Sequence, residues 1–168
     1  HDTVRGLRSE LSFPLDSAWM RGLTGSCAEI ARVLEAQIGS APARVRRLLR
    51  LRPASQIPAG GELDESDVAE TEALVELVNA CRLLAGALAV AEATTRSCQE
   101  LEQYLDMGTR PLLEALRTSG AAERPFRHSQ VQAAIRFCAK MFGQEYAALL
   151  AKAAAVAAQQ ERRTAAQA

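Results

Sequence analysis

The apolar pattern in the first third of the chain predicts helices. Apolar positions recur every three or four residues, and no segment alternates apolar and polar residues at the two-residue period of a strand. Asp16 or Ser17 can cap a first helix through a side-chain oxygen. The apolar stripe of that helix comprises Trp19, Leu23, Cys27, Ile30, Leu34 and Ile38. Because Gly and Pro interrupt the pattern between Gly39 and Pro42, we predict a kink or break there, followed by a short second helix.

The middle of the chain contains the longest apolar seam. The segment from Pro53 to Gly61 has two prolines and two glycines, which predicts an exposed loop. After it, Asp64 or Ser66 can cap a helix whose seam is interrupted at Glu102. The seam residues, which we predict to be buried, are Leu74, Leu77, Cys81, Leu84, Leu88, Ala91, Thr95, Cys98 and Leu105. The pattern therefore predicts one continuous long helix that ends at Gly108.

The last third of the chain predicts one short and one long helix. Thr109 and Pro111 begin the short helix and Gly120 ends it. Ser129 then caps the last helix. Its apolar stripe comprises Val131, Ile135, Cys138, Phe142, Tyr146, Leu149, Ala153 and Val156. Beyond that stripe, residues 159–168 keep helix-forming side chains without an apolar face, so we expect them to fray.

Together these elements predict an all-α fold, an up-and-down bundle of four to five helices, three long and one or two short. Residues 1–15 form a lead-in segment, and residues 16–158 form a single domain with the exposed loop at 53–61. An open helical hairpin that completes its core by dimerising ranks second. The chain begins with His1 rather than Met, so we expect a piece excised from a longer protein.

Composition narrows the class of protein. The chain has 168 residues, of which 48% are hydrophobic and 24% charged, enough for one domain with a real core. Its formal net charge of zero provides no overall field to attract nucleic acid, which we do not expect as a partner. No apolar stretch reaches the roughly 18 residues that span a bilayer, and no signal-peptide core is present. We expect an intracellular protein without a transmembrane segment.

Residues that carry catalysis or bind metals are few. The sequence has two histidines, and His128 lies just before the Ser129 cap, where a solvent-facing turn residue is expected. Phosphate-binding, dinucleotide-binding, zinc-protease and nucleophile-elbow motifs are absent from the sequence. The cysteines have no metal-binding spacing and fall at apolar positions, so we predict that all are buried: Cys27, Cys81, Cys98 and Cys138. We predict a protein that is not an enzyme and needs no metal or cofactor.

Charge is distributed unevenly along the chain. Five arginines fall within nine residues, a run we name the arginine segment: Arg44, Arg46, Arg47, Arg50 and Arg52. Seven carboxylates follow within fifteen residues: Glu62, Asp64, Glu65, Asp67, Glu70, Glu72 and Glu76. In the interpretation we favour, the two groups fold back against each other and neutralise each other's charge. In the other interpretation the arginine segment docks an acidic partner, a phosphate or a membrane surface.

Three apolar residues lie beside the predicted stripes rather than on them. They are Leu83, Phe137 and Leu150. A second apolar stripe on a helix indicates a partner surface, because stable monomers seldom leave large apolar patches uncovered. Widening of the core is the alternative, and we favour it.

The function predicted from these features is a noncatalytic protein-interaction module of a larger intracellular scaffold or adaptor. A helical segment of a partner protein would lie in a groove between two long helices, and a homodimer is a second option. The candidate contact residues are the arginine segment together with Leu83, Phe137 and Leu150. The alternative function is binding of nucleic acid or an anionic surface through Arg44 to Arg52.

Overall fold

The computed structural model describes residues 18–57, 61–88 and 90–165. This part of the chain contains five α-helices, a short 3-10 turn at Ala54–Gln56 and no strand. The helices are α1 (Ala18–Leu49), α2 (Glu65–Leu88), α3 (Ala91–Thr118), α4 (Arg124–Phe142) and α5 (Gln144–Ala165). The predicted all-α helical bundle is therefore confirmed. The lead-in at residues 1–15 and the caps proposed at Asp16 and Ser17 lie outside the described residues.

The core lies around α3 and α4, each of which packs against the other four helices. Helix α1 packs against α2, α3 and α4, whereas α5 packs against α3 and α4. The largest fully buried side chains include Ile38 of α1, Leu101, Leu105 and Leu116 of α3, and Phe137 of α4. These helices supply the apolar surface whose burial stabilises the bundle.

The break predicted between Gly39 and Pro42 is absent, because α1 runs through both residues to Leu49. A proline within a helix removes one backbone hydrogen bond and disfavours the helix at that point. Here Ile38, Pro42 and Val45 are buried in the core. Tertiary packing outweighs the local preference, and the short second helix of the prediction is the C-terminal part of α1.

The predicted long middle helix is instead two helices. The chain leaves the helix after Leu88 and resumes at Ala91, and Val90 between them is non-helical (φ −112°, ψ 19°) and 1% exposed. This break allows α2 and α3 to pack against each other. Helix α3 then continues through Gly108 and Pro111 to Thr118, so Gly108 does not end a helix.

The last predicted helix is also divided. Helix α4 begins at Arg124, so Ser129 lies inside it, where its hydroxyl donates to the Phe126 carbonyl and accepts from the Leu63 amide. Gly143 ends α4 with φ +92°, a conformation that only glycine adopts readily. The break shifts the phase of α5, whose buried residues include Ala147, Leu150, Ala154 and Ala157. Three members of the predicted stripe are therefore exposed: Leu149, Ala153 and Val156.

The connection between α1 and α2 is only partly the exposed loop that was predicted. Pro53 and the turn Ala54–Gln56 are exposed, but Ile57 is buried. Residues 58–60 lie outside the described part of the chain. In the last part of the chain, α5 remains helical to Ala165 and so includes part of the segment that was predicted to fray.

Leu84 was predicted to be buried, and it is 56% exposed. The buried stripe of α2 includes Val75 and Val78, each one residue away from the predicted seam positions. We therefore expect Leu84→Ala to lower the free energy of unfolding by less than about 1 kcal/mol, whereas Leu101→Ala should cost about 2–5 kcal/mol. Chemical denaturation of both variants checks this, and equal losses would contradict the assignment of the α2 face.

Candidate functional site

The arginine segment lies at the C-terminal end of α1, and ion pairs hold three of its members. Arg44 Nη1 is 2.9 Å from Glu70 Oε2, and Arg47 Nη2 is 2.8 Å from Asp67 Oδ1. Both carboxylates belong to the acidic run that the sequence analysis placed opposite the arginines. Arg46 Nη2 is 2.9 Å from Glu100 Oε2 of α3, a partner that lies 54 residues away and was not predicted. The structure therefore pairs two members of each charged group, whereas Arg136 and Lys140 of α4 bind three other carboxylates of the acidic run: Glu65, Glu72 and Glu76.

The other two arginines have no carboxylate partner among the described residues. The Arg52 guanidinium carbon lies 5.5 Å from the centroid of the Phe126 ring, a cation–π contact. Arg50 is exposed and forms no ion pair with the described part of the chain. The two side chains thus retain donors for another anion.

Four of these arginines surround one cleft of about 420 Å³, which we name the arginine cleft. Its lining residues are Ala43, Arg46, Arg47, Arg50, Arg52 and Gln56. Asp67 and Glu100 compensate two of the four guanidinium charges, so the cleft keeps an excess of two positive charges. Arg44 lies outside it, in a neighbouring cleft that also contains Asp67 and Glu70.

A buried polar pair positions the chain at the edge of the arginine cleft. Gln130 is fully buried, and its Nε2 donates to the carbonyls of Leu48 and Arg50, each at 3.0 Å. Arg127 is 6% exposed, and its guanidinium donates to Gln130 Oε1 and to the Arg52 carbonyl. These contacts satisfy carbonyls at and beyond the end of α1 that lack helical partners. The sequence gives no signal for this role, because both residues resemble ordinary solvent-facing helix positions.

Two of the three apolar candidate contact residues belong to the core. Phe137 is 0% exposed and Leu150 is 8% exposed, so neither is a surface contact, and the core widening that the sequence analysis favoured holds for both. Phe137 lies on α4, which contacts every other helix, and the break at Gly143 turns Leu150 inward. Leu83 is 80% exposed and remains available to a partner.

The first helix carries an exposed apolar surface, two residues of which, Cys27 and Ile30, the sequence analysis assigned to the core. Ile30 is 57% exposed and Val33 is 53% exposed, and Cys27 on the same side is also exposed. We name these three residues the open stripe. Trp19, predicted to be buried, is 51% exposed near the start of α1. The spacing identified Cys27 and Ile30 as apolar stripe positions, but Val33 lies beside that stripe, and nothing in the sequence showed that these residues would be uncovered.

The cysteines differ in their surroundings. Cys81, Cys98 and Cys138 are buried, and burial raises the pKa of each thiol, that of Cys138 to about 12. Cys27 is exposed, so the prediction that all four are buried is wrong at this position. Among the residues the structure describes, no group of three or more His, Cys, Asp or Glu side chains is arranged to hold a metal ion.

We expect a thiol-specific reagent to modify Cys27 rapidly and the other three cysteines only after unfolding. The thiolate is the reactive form, and the buried thiols are both protonated and inaccessible. A colorimetric thiol assay on the native chain should give one fast equivalent, which Cys27→Ser removes. Four equivalents in denaturant provide the control, and two or more fast equivalents in the native protein would contradict the burial of the remaining cysteines.

Reversing Arg46, Arg47 and Arg50 to Glu together is expected to lower the free energy of unfolding by roughly 1–2 kcal/mol at low salt. The variant loses two ion pairs, each between partly exposed side chains and thus worth about 0–1 kcal/mol, and places like charges together. Added salt should shrink the loss because it screens exposed charges. Denaturation at two salt concentrations measures it, and an unchanged stability would show that the pairs contribute nothing to folding.

Comparisons with known proteins add no relatives. No protein family, no curated protein and no solved structure matches this chain. Within the described part of the chain, no helix combines the length and the apolar character required to cross a membrane.

Proposed function

We propose that this chain is a noncatalytic protein-interaction module that binds a helical segment of a partner protein along the open stripe of α1. One observation carries the proposal: the apolar side chains of α1 lie in two environments. From Ile38 to Leu49 they are buried against the bundle and Leu34 is half-buried, whereas Cys27, Ile30 and Val33 are exposed. Uncovered apolar helix faces of this kind are typical of interaction surfaces.

The shape of the open stripe suits a helical partner. Cys27, Ile30 and Val33 are spaced by three residues and span about 9 Å along the helix axis, at 1.5 Å per residue. At 100° per residue, Arg32 and Glu35 project from the opposite side of α1, whereas Glu29 lies four residues before Val33 and flanks the stripe. An amphipathic partner helix with apolar anchors three or four residues apart would cover it.

The partner helix is placed on α1 rather than between α1 and α2. The cleft between these two helices is lined by Ala43, Arg44, Arg47, Asp67 and Glu70. Its arginines and carboxylates are engaged in ion pairs, which an apolar helix face would have to break without replacing. The open stripe requires no such exchange.

A role within a larger intracellular scaffold or adaptor belongs to the same proposal. All four cysteines are free thiols, as expected in a reducing compartment. Three of them are buried, and burial disfavours the thiolate that nucleophilic chemistry requires. These features support binding rather than catalysis.

The experiment is a selection of helical peptides from a displayed library on the purified chain, followed by affinity measurement. We expect the selected peptides to share apolar residues at helical spacing. Ile30→Asp with Val33→Asp should weaken their binding at least about tenfold, since an unpaired charge would have to be desolvated. The matched control is Ala28→Asp, an exposed position on the opposite side of α1, which should bind as the native chain does.

The oligomeric state separates the two possible occupants. Sedimentation equilibrium should show a monomer at micromolar concentration for the native chain. A dimer that the Ile30→Asp and Val33→Asp changes dissociate would overturn the proposal in favour of a second copy of this chain. Peptide binding that the double change leaves intact would also overturn it.

A further inference from the structure

We propose that the arginine cleft binds one phosphate monoester dianion, presented as a phosphorylated side chain by a protein partner. The cleft has a volume of about 420 Å³, and four arginines line it. Guanidinium groups present paired N–H donors that match phosphate oxygens, and their hydrogen bonds to an anion are stronger than those between neutral groups. This site is separate from the open stripe and does not depend on the function proposed above.

The charge balance of the cleft matches one dianion. Arg46 pairs with Glu100 and Arg47 pairs with Asp67. Two positive charges of the cleft are therefore not neutralised by a carboxylate. A phosphorylated serine or threonine carries about −1.5 to −2 at pH 7. One such group would therefore neutralise the excess, and Arg50, which has no carboxylate partner among the described residues, would be its principal new contact.

The cleft is already organised on one side. Arg52 is held by its cation–π contact with Phe126, and its backbone carbonyl accepts a hydrogen bond from the buried Arg127. Gln130 holds the carbonyl of Arg50 in the same way. Because these contacts fix the chain from which Arg50 and Arg52 project, less conformational freedom is lost on binding.

The same surroundings argue against a nucleic acid. Phe126 is buried and lies beneath Arg52, so its ring offers no face on which a base could stack. Beyond the cleft, the ion pair of Arg44 with Glu70 neutralises the next basic residue. A single phosphate can be satisfied here, whereas a polynucleotide needs a continuous track of uncompensated basic residues.

The test uses a fluorescent twelve-residue peptide with one phosphoserine and its unphosphorylated twin, with binding followed by fluorescence anisotropy. We expect saturable binding of the phosphopeptide and binding of the twin weaker by about tenfold or more, which corresponds to loss of one charge-assisted hydrogen bond. Inorganic phosphate should compete for the site. Equal binding of the two peptides, or no competition by phosphate, would overturn the proposal.

Arg50→Gln is the decisive variant, because the side chain is exposed and forms no described ion pair, so folding should be unchanged. It should weaken phosphopeptide binding about tenfold. The matched control Arg110→Gln, an exposed arginine of α3, should change affinity by less than about twofold. If both variants bind as the native chain does, the proposal fails.

Two further measurements test whether the phosphate belongs to a protein or to a nucleic acid, and whether the arginine cleft is independent of the open stripe. A twelve-nucleotide single strand of DNA should bind more weakly than the phosphopeptide. Tighter binding of the DNA with a steep salt dependence would overturn the proposal in favour of a polynucleotide. The Ile30→Asp and Val33→Asp chain should bind the phosphopeptide normally, so that failure of the helix-binding proposal remains distinguishable from failure of this one.

Discussion

Phe137→Ala is expected to lower the free energy of unfolding by about 3–5 kcal/mol. The ring is 0% exposed and belongs to the core. Its helix, α4, packs against the other four helices, so removal of the ring leaves a cavity in the core. Denaturant unfolding followed by far-ultraviolet circular dichroism measures the loss. Phe142→Ala is the control: that ring is half-buried at the end of α4 and contacts Tyr146 at a centroid distance of 4.8 Å, so a smaller loss is expected.

A loss below about 1 kcal/mol for Phe137→Ala would contradict its central place in the core. It would instead support the partner-surface interpretation of Phe137, which the sequence analysis ranked below widening of the core. The slope of the unfolding free energy against denaturant should stay constant, since the same surface is exposed on unfolding. A changed slope would indicate that the bundle no longer unfolds in one step.

Gln130→Leu is expected to cost about 2–4 kcal/mol, although the replacement has a similar size. The change leaves the carbonyls of Leu48 and Arg50 without their donor, and each buried polar group left unpaired costs about 1–3 kcal/mol. It also removes one of the two acceptors of the buried Arg127 guanidinium, which still donates to the Arg52 carbonyl. Thermal and chemical denaturation both measure this loss.

Gln132→Leu is the matched control for this prediction. Gln132 lies two residues further along α4 and is exposed, so its replacement should change the free energy of unfolding by less than about 0.5 kcal/mol. Equal losses in the two variants would show that leucine disturbs α4 in general. Combining Gln130→Leu with Arg127→Leu should cost less than the sum of the single changes, because the two side chains share a hydrogen bond.

The sequence predicts the helical class well, because the spacing of apolar residues by threes and fours is a local property of each segment. The residues at which helices begin and end are predicted less well from the sequence. Pro42 and Gly108 weaken a helix locally, yet burial of Pro42 and the packing of α3 keep both residues helical. Gly143 is the reverse case, a single glycine inside an apparently continuous stripe whose positive φ ends a helix.

Which face of a helix is buried, and which side chains pair with each other, depend on tertiary contacts that the spacing of apolar residues does not encode. Helix α2 has apolar residues on adjacent stripes, so the sequence allows either Leu77 or Val78 to lie at the centre of the buried face. Packing against the other helices places Val78 in the core. The pairing of Arg47 with Asp67 was predictable because both flank one loop. The contact from Gln130 to Leu48 joins residues 82 positions apart, and no local pattern indicates it.

The backbone at Gly143 selects which side of α5 faces inward. A β-carbon there would meet no atom within 4 Å, so the φ of +92° is the sole constraint on this residue. Side-chain-bearing residues avoid that conformation, and substitution would favour a continuous helix from α4 into α5. Because α5 packs against α4 across this break, a continuous helix could not keep α5 in its place, and Leu150, Ala154 and Ala157 would lose the contacts that bury them. One exposed glycine thus decides whether α5 folds back onto the bundle, so a substitution at the surface would uncover apolar residues of the core.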